Sequence, residues 1–251
     1  MKKFFMILTA VLFMCITFGA EAEGVIPITL TPEGIHSESE SIQTEGQIVK
    51  ITEPGEYLLS GNLENGQIQI DCQEKGKVTL YANGVSIHNE TGPAILIGKC
   101  SPRAEISLVS GTENKFSNGN NLVFDEGDEP DGVIFTRSDL TISGSGMMEI
   151  NAGAMNGISS KDDLRIEGGT ITVNAPNHGM KGKDSIEISG GKIAIRAGKD
   201  GIKSTNKTDP SRGYIEMTGG EVNISCGDDA VSFVTFCNIS GGKLNMNIEV
   251  Q

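Results

Sequence analysis

Between residues 157 and 251, short runs of alternating apolar and polar residues recur on either side of Gly-Gly pairs. Leu164-Arg165-Ile166 precedes Gly168-Gly169, and Ile171-Thr172-Val173 follows it. The same frame surrounds Gly190-Gly191 (Ile186-Glu187-Ile188, then Ile193-Ala194-Ile195), Gly219-Gly220 (Ile215-Glu216-Met217, then Val222-Asn223-Ile224) and Gly241-Gly242 (Cys237-Asn238-Ile239, then Leu244-Asn245-Met246). Spacings of 22, 29 and 22 residues separate the pairs. Alternation at period two predicts strands, not helices. A fixed period of strands and glycine turns predicts a solenoid whose coils bury their apolar faces by stacking.

The period narrows the choice. Two strands per 22 residues is too much chain for a nonapeptide calcium roll, and the Leu-x-x-Leu-x-Leu frame of leucine-rich repeats is missing. An all-β parallel β-helix fits, with like residues stacked on like. The predicted inward rows are Leu140, Leu164, Ile186, Ile215, Cys237, then Ile142, Ile166, Ile188, Met217, Ile239. Beyond the turn come Ile171, Ile193, Val222, Leu244, then Ala152, Ala175, Ala197, Cys226. A weaker pattern over residues 23–65, broken by Pro32-Glu33-Gly34 and Glu53-Pro54-Gly55, predicts an N-terminal cap and first coil. Coils then occupy residues 66–251. Polar excursions at Asn118–Asp131 and Thr205–Ser211 predict loops inserted on one face.

Composition agrees with a slender core: 33 Gly, 5% aromatic residues and no Trp. Lys2-Lys3, an apolar run from Phe4 to Ala20 and the small-x-small site Ala20-Glu21-Ala22 predict a secretory signal peptide over residues 1–22. The protein is therefore expected to be secreted or displayed at the cell surface, with no membrane span. Four cysteines remain (Cys72, Cys100, Cys226 and Cys237); the inward positions of Cys72, Cys226 and Cys237 predict free core thiols. Without residues 1–22 the chain keeps 18 basic and 32 acidic residues. Phosphate contacts need a basic footprint, so nucleic acid is excluded as a partner.

The chemistry lies where coils meet. A polar residue, then Gly or Ala, then an aliphatic recurs as Asn156-Gly157-Ile158, His178-Gly179-Met180, Asp200-Gly201-Ile202 and Asp229-Ala230-Val231. Lys161-Asp162 and Lys183-Asp184 follow the first two. Strand spacing of about 4.8 Å would place Asp162 over Asp184, His178 over Asp200, and Asp200 over Asp229. Carboxylates that close repel unless a cation lies between them, and calcium takes six to eight oxygens. Asp162, Asp184, Asp200, Asn206, Asp228 and Asp229 are the candidate calcium ligands; Asp228 and Asp229 with Asp200 and Asn206 form the densest set. Two plainer explanations stand beside calcium: these residues favour tight turns, and lysines can neutralise the acids. Lys161, Lys181, Lys183, Lys203 and Arg212 gather near the same corner as candidate ligand-binding bases.

Gly157-Ile-Ser-Ser-Lys-Asp-Asp-Leu-Arg-Ile-Glu-Gly-Gly-Thr-Ile-Thr-Val, Gly179-Met-Lys-Gly-Lys-Asp-Ser-Ile and Asp200-Gly-Ile-Lys-Ser-Thr-Asn resemble a known family. So do Ile51-Thr-Glu-Pro-Gly-Glu-Tyr-Leu-Leu-Ser-Gly, Leu80-Tyr-Ala-Asn-Gly-Val and Gly111-Thr-Glu-Asn. It is the secreted carbohydrate-binding β-helix family described from cellulolytic clostridia, with a pectate-lyase-like fold. The resemblance covers residue 28 to the end. It implies a right-handed, single-stranded parallel β-helix, bound calcium, and binding of cellulose or acidic glycans such as polygalacturonate. The chain departs from the family pattern at Asn156 and His178, where Asp is common, at Ala230, where Gly is usual, and at Val234-Thr235, where the Lys-Asp pair is lost.

Calcium-bridged binding of an acidic plant cell-wall polysaccharide is therefore the expected function. A calcium-dependent lyase using a lysine base is an alternative, though the lysines recur where a catalytic base is normally unique. A structural or adhesive surface protein that associates end to end is a third.

Overall fold

A computed structural model describes residues 24–32, 34–124 and 130–248. The expected signal peptide, Glu33 and the acidic run Asp125–Glu129 lie outside the described residues. Among those described, every regular element is a strand. No helix among them is long and apolar enough to cross a membrane.

From Ile95 onward the chain advances three strands at a time, and each strand pairs in parallel with the one three further on. Asp139–Gly144 lies beside Asp163–Ile166, then Ser185–Ile188, Tyr214–Met217 and Cys237–Ile239. Met147–Ala152 begins a second row through Thr170–Ala175, Lys192–Ala197, Glu221–Cys226 and Lys243–Ile248. Asn156–Ser160 belongs to a third, with Met180–Gly182, Ile202–Ser204 and Val231–Ser232. The first two rows are arms of one sixteen-stranded sheet, joined through the long strand Val78–Asn89; the third forms a nine-stranded sheet. Antiparallel pairs, Val25–Thr31 with Gly34–His36 and Ile42–Glu45 with Ile48–Ile51, stand at the edges near the N-terminus.

The predicted register holds position for position. Leu140, Leu164, Ile186, Ile215 and Cys237 are consecutive partners, as are Ile171, Ile193, Val222 and Leu244. All but Cys237 and Leu244, in the last described coil, are fully or almost fully buried. The third strand of each coil is a correction. The polar-Gly-aliphatic segment was expected to precede each coil, yet it is itself a strand, and Ile158, Met180 and Ile202 add a further inward row. Its runs of two to five residues are too short for periodicity to reveal.

Cys72, Cys100, Cys226 and Cys237 are all free, and the first three are buried. Burial pushes every one of these thiols up, that of Cys72 to about 12. They act as small apolar side chains.

The glycine of the polar-Gly-aliphatic segment has a steric cause. A Cβ on Gly157, Gly179 or Gly201 would lie 2.7 Å from the carbonyl oxygen of the equivalent residue one coil on. It would also lie 2.2–2.4 Å from an inward Val or Ile methyl. Ala230 holds the same position in the last described coil, where no described strand stacks above it, so its methyl is accommodated. Gly201→Ala is expected to cost about 1–3 kcal/mol by overpacking. Ala230→Gly should cost no more than about 1 kcal/mol. Chemical denaturation of the two variants checks this; equal effects would contradict the stacking explanation.

Candidate functional site

At the corner before the third strand, one side chain per coil accepts the backbone N–H of its counterpart in the next. Asn156 Oδ1 accepts from His178 N at 3.1 Å, His178 Nδ1 from Asp200 N at 3.3 Å, and Asp200 Oδ1 from Asp229 N at 3.1 Å. Asn156 and His178 thus do the structural work that Asp200 does in the coil after them. His178 Nδ1 also lies 3.3 Å from Asp200 Oδ2. A neutral ring accepting the N–H is the consistent assignment. Burial and the Lys203 charge push the His178 pKa down, outweighing Asp200, whose Oδ2 is already held by Lys203 at 2.5 Å.

The predicted stacking of His178, Asp200 and Asp229 is therefore present. One carboxylate oxygen each from Asp200, Asp228 and Asp229 lies within 4.8 Å of the others. Asp200 is 1% exposed, whereas Asp228 and Asp229 are open to solvent. Oxygen-only donors of this charge and spacing fit a hard cation such as calcium, with Lys203 now supplying positive charge at Asp200. Asn206, expected in this set, lies elsewhere. Its Nδ2 donates to Asp184 Oδ1 at 2.5 Å, and its Oδ1 accepts from Thr208 and Asp209 N–H groups, which folds the Thr205–Ser211 excursion back on itself.

That excursion delivers Arg212 to a second acidic group. The guanidinium bonds Asp184 Oδ2 and lies 3.4 Å from Asp209 and 3.7 Å from Asp162. Asp184 N–H reaches the Asp162 carbonyl at 3.3 Å, so these residues do stack, but their side chains diverge. Asp184 is buried against Arg212 and Asn206. Asp162 instead gathers with Asp139 and Asp163. Burial, then the charges of Asp139 and Asp163, push the Asp162 pKa up. Arg165 relieves part of that repulsion, bonding Asp139, Asp163 and Glu187 at 3.2, 2.7 and 3.1 Å.

The candidate sugar-contacting bases are placed differently from one another. Lys181 bonds Asp131 at 2.6 Å, while Lys203 and Arg212 bond Asp200 and Asp184. The Lys161 ammonium stands 5.5 Å from the centre of the Phe135 ring. Lys183 is exposed, near Asp162. Asp131 is a residue that sequence reasoning missed. It accepts from Lys181 and from Ser159 Oγ at 2.6 Å, and despite its burial these partners hold its carboxyl below the usual range. The signal was there: Asp131-Gly132-Val133 is one more copy of the polar-Gly-aliphatic segment, and Asn156 N–H bonds the Asp131 carbonyl.

The described residues form an all-β fold of parallel strand rows, the class of fold seen in a polysaccharide lyase-like protein. The structure of the polysaccharide lyase-like protein from C. thermocellum, in its gadolinium derivative, is similar to this chain with a TM-score of 0.80 and 34% identity. The match covers 89% of this chain and 96% of that one. Residues 45–251 match the model of the family described as carbohydrate-binding domain-containing protein, and the chain belongs to that family. A carbohydrate-binding domain-containing protein of Acetivibrio thermocellus is 39% identical over 129 residues, which are 51% of this chain and 45% of the relative. The chain thus matches less than half the length of that relative.

Arg212→Ala would leave the buried Asp184 carboxylate with Asn206 as its remaining side-chain partner. The expected loss of stability is about 1–3 kcal/mol, because a buried acceptor then lacks a donor. Combining it with Asp184→Asn should recover part of the loss, and urea denaturation of the single and double variants measures both.

Proposed function

We propose that this is a secreted, calcium-binding protein that recognises plant cell-wall polysaccharide, chiefly acidic glycans of the polygalacturonate kind. Its stacked coils are read as a right-handed, single-stranded parallel β-helix. The observation that carries the reading is the Asp200–Asp228–Asp229 group, in which two exposed carboxylates stand beside a buried one at a coil corner. These three residues would hold the ion, which would supply the bridge between protein carboxylates and the carboxylates of the sugar. Such a bridge answers the electrostatic objection that a chain of net charge −13 repels a polyanion. One further fact favours the reading: the family is described as carbohydrate-binding domain-containing.

Binding without catalysis is part of the proposal. Lys181 and Lys203 already donate to carboxylates of the chain, an arrangement suited to neutralising charge and not to removing a proton from substrate. A second reading, a neutral β-glucan ligand, has one observation in its favour. Tyr214 and Phe236 stack with ring centres 4.9 Å apart, and Phe236 is 46% exposed, as an apolar platform for a sugar ring would be.

The purified protein should be retained on immobilised polygalacturonate in calcium and released by excess chelator, with no unsaturated product absorbing in the ultraviolet. Retention on cellulose alone would favour the neutral-glucan reading, and release of unsaturated product the lyase. No retention in calcium overturns the uronate assignment. Separately, calcium at about a hundred times its Kd should stabilise the fold by about 2.7 kcal/mol. That corresponds to a rise in Tm of roughly 5–10 °C. The Asp228→Asn, Asp229→Asn double variant should lose that rise while melting normally without calcium.

A further inference from the structure

Three bases at the acidic corner are engaged by carboxylates of the chain, but another face carries a cation that is not. The second strand row turns its outward residues to solvent in two lines: Thr172, Ala194 and Asn223 in one, Asn174, Arg196 and Ser225 in the other. Amides along these lines bond from coil to coil. Asn174 Nδ2 donates to Asn151 at 2.8 Å, and Asn245 Nδ2 donates to Asn223 at 2.6 Å. The chain of amides breaks at Ala194 and Arg196, and a shallow groove of about 390 Å³ opens at that break. The small Ala194 side chain leaves it unfilled. Arg196 is exposed beside it, and its guanidinium makes no hydrogen bond or ion pair among the described residues. In an acidic protein the groove is lined by one charged residue, Arg196, among neutral side chains, while nearby Lys243 pairs with Glu221.

We propose that this groove is a glycan subsite in which Arg196 binds a uronate carboxylate directly, without calcium, while the flanking Asn174 and Asn223 amides take sugar hydroxyls. The guanidinium fork matches a carboxylate with two parallel hydrogen bonds, which an ammonium does not reproduce. Parallel strands repeat about every 4.8 Å, so a polysaccharide laid across them presents neighbouring sugars to neighbouring polar rows. The inference rests on the acidic-glycan reading and assigns it a second contact, on a different sheet face from the acidic corner.

The test is affinity for immobilised polygalacturonate in calcium, compared among wild type, Arg196→Gln, Arg196→Lys, Lys192→Gln and Ala194→Tyr. Arg196→Gln is expected to weaken binding about tenfold, the scale of a lost hydrogen bond to a charged group. Arg196→Lys should be intermediate, Ala194→Tyr should weaken binding by filling the groove, and Lys192→Gln should stay within about twofold of wild type. All three positions are on the solvent face, and unchanged melting confirms folding. Wild-type binding with Arg196→Gln equal to it overturns the subsite and leaves the acidic-glycan reading standing. An equal loss in Lys192→Gln also overturns it, because general positive charge would then explain the effect. No binding by wild type overturns the acidic-glycan reading, and the subsite with it.

Discussion

Backbone hydrogen bonding between successive coils is the constraint from which the other features follow. Parallel ladders bring each coil into register with the next, so every residue meets its own equivalent at strand spacing. In the interior this favours like on like: Ile171, Ile193 and Val222 form one continuous apolar row, fully buried. At the corner it demands an acceptor for the next N–H, a task shared by Asn156, His178 and Asp200. Beside the corner it excludes a Cβ at Gly157, Gly179 and Gly201.

The same register creates the chain's electrostatic problem. A repeated Asp becomes a stack of Asp, and like charges at such separations repel. The structure answers with its own cations at most levels: Lys181 at Asp131, Lys203 at Asp200, Arg165 between Asp139 and Asp163, Arg212 at Asp184. The answer is incomplete at Asp162, whose pKa is raised, and at the exposed Asp228 and Asp229. Where the fold leaves carboxylates close together without enough positive charge, a divalent cation would relieve the repulsion, and the proposed function assigns it that place.

Internal neutralisation also separates two kinds of surface. Bases at the corner stabilise the coils, and removing one exposes a buried acid. The groove on the second row is lined by short neutral side chains, some of them amides bonded from coil to coil, and by a guanidinium that pairs with no carboxylate among the described residues. Arg196 on that face is not committed to a carboxylate of the described residues, so a ligand can engage it without uncovering a buried acid.

The architecture was legible because it is written in local repetition. Period-two alternation around Gly-Gly pairs marked the strands, and alignment on those pairs marked the partners, down to which Leu lies beside which Ile. The third strand was hidden, because a run such as Met180–Gly182 is too short to show a period. The acidic corner was legible as a set of residues but not as a set of contacts. Stacking Asp200 on Asp229 followed from spacing, whereas the separation of Asn206 from them, and the capture of Asp184 by Arg212, depended on how a seven-residue excursion folds. Sequence by itself determined strand identity, register and the inward rows, since each of these repeats from coil to coil. Tertiary structure alone decided which carboxylate takes which cation and which guanidinium stays open, because side-chain pairing across coils depends on loop paths and rotamers that no repeat encodes.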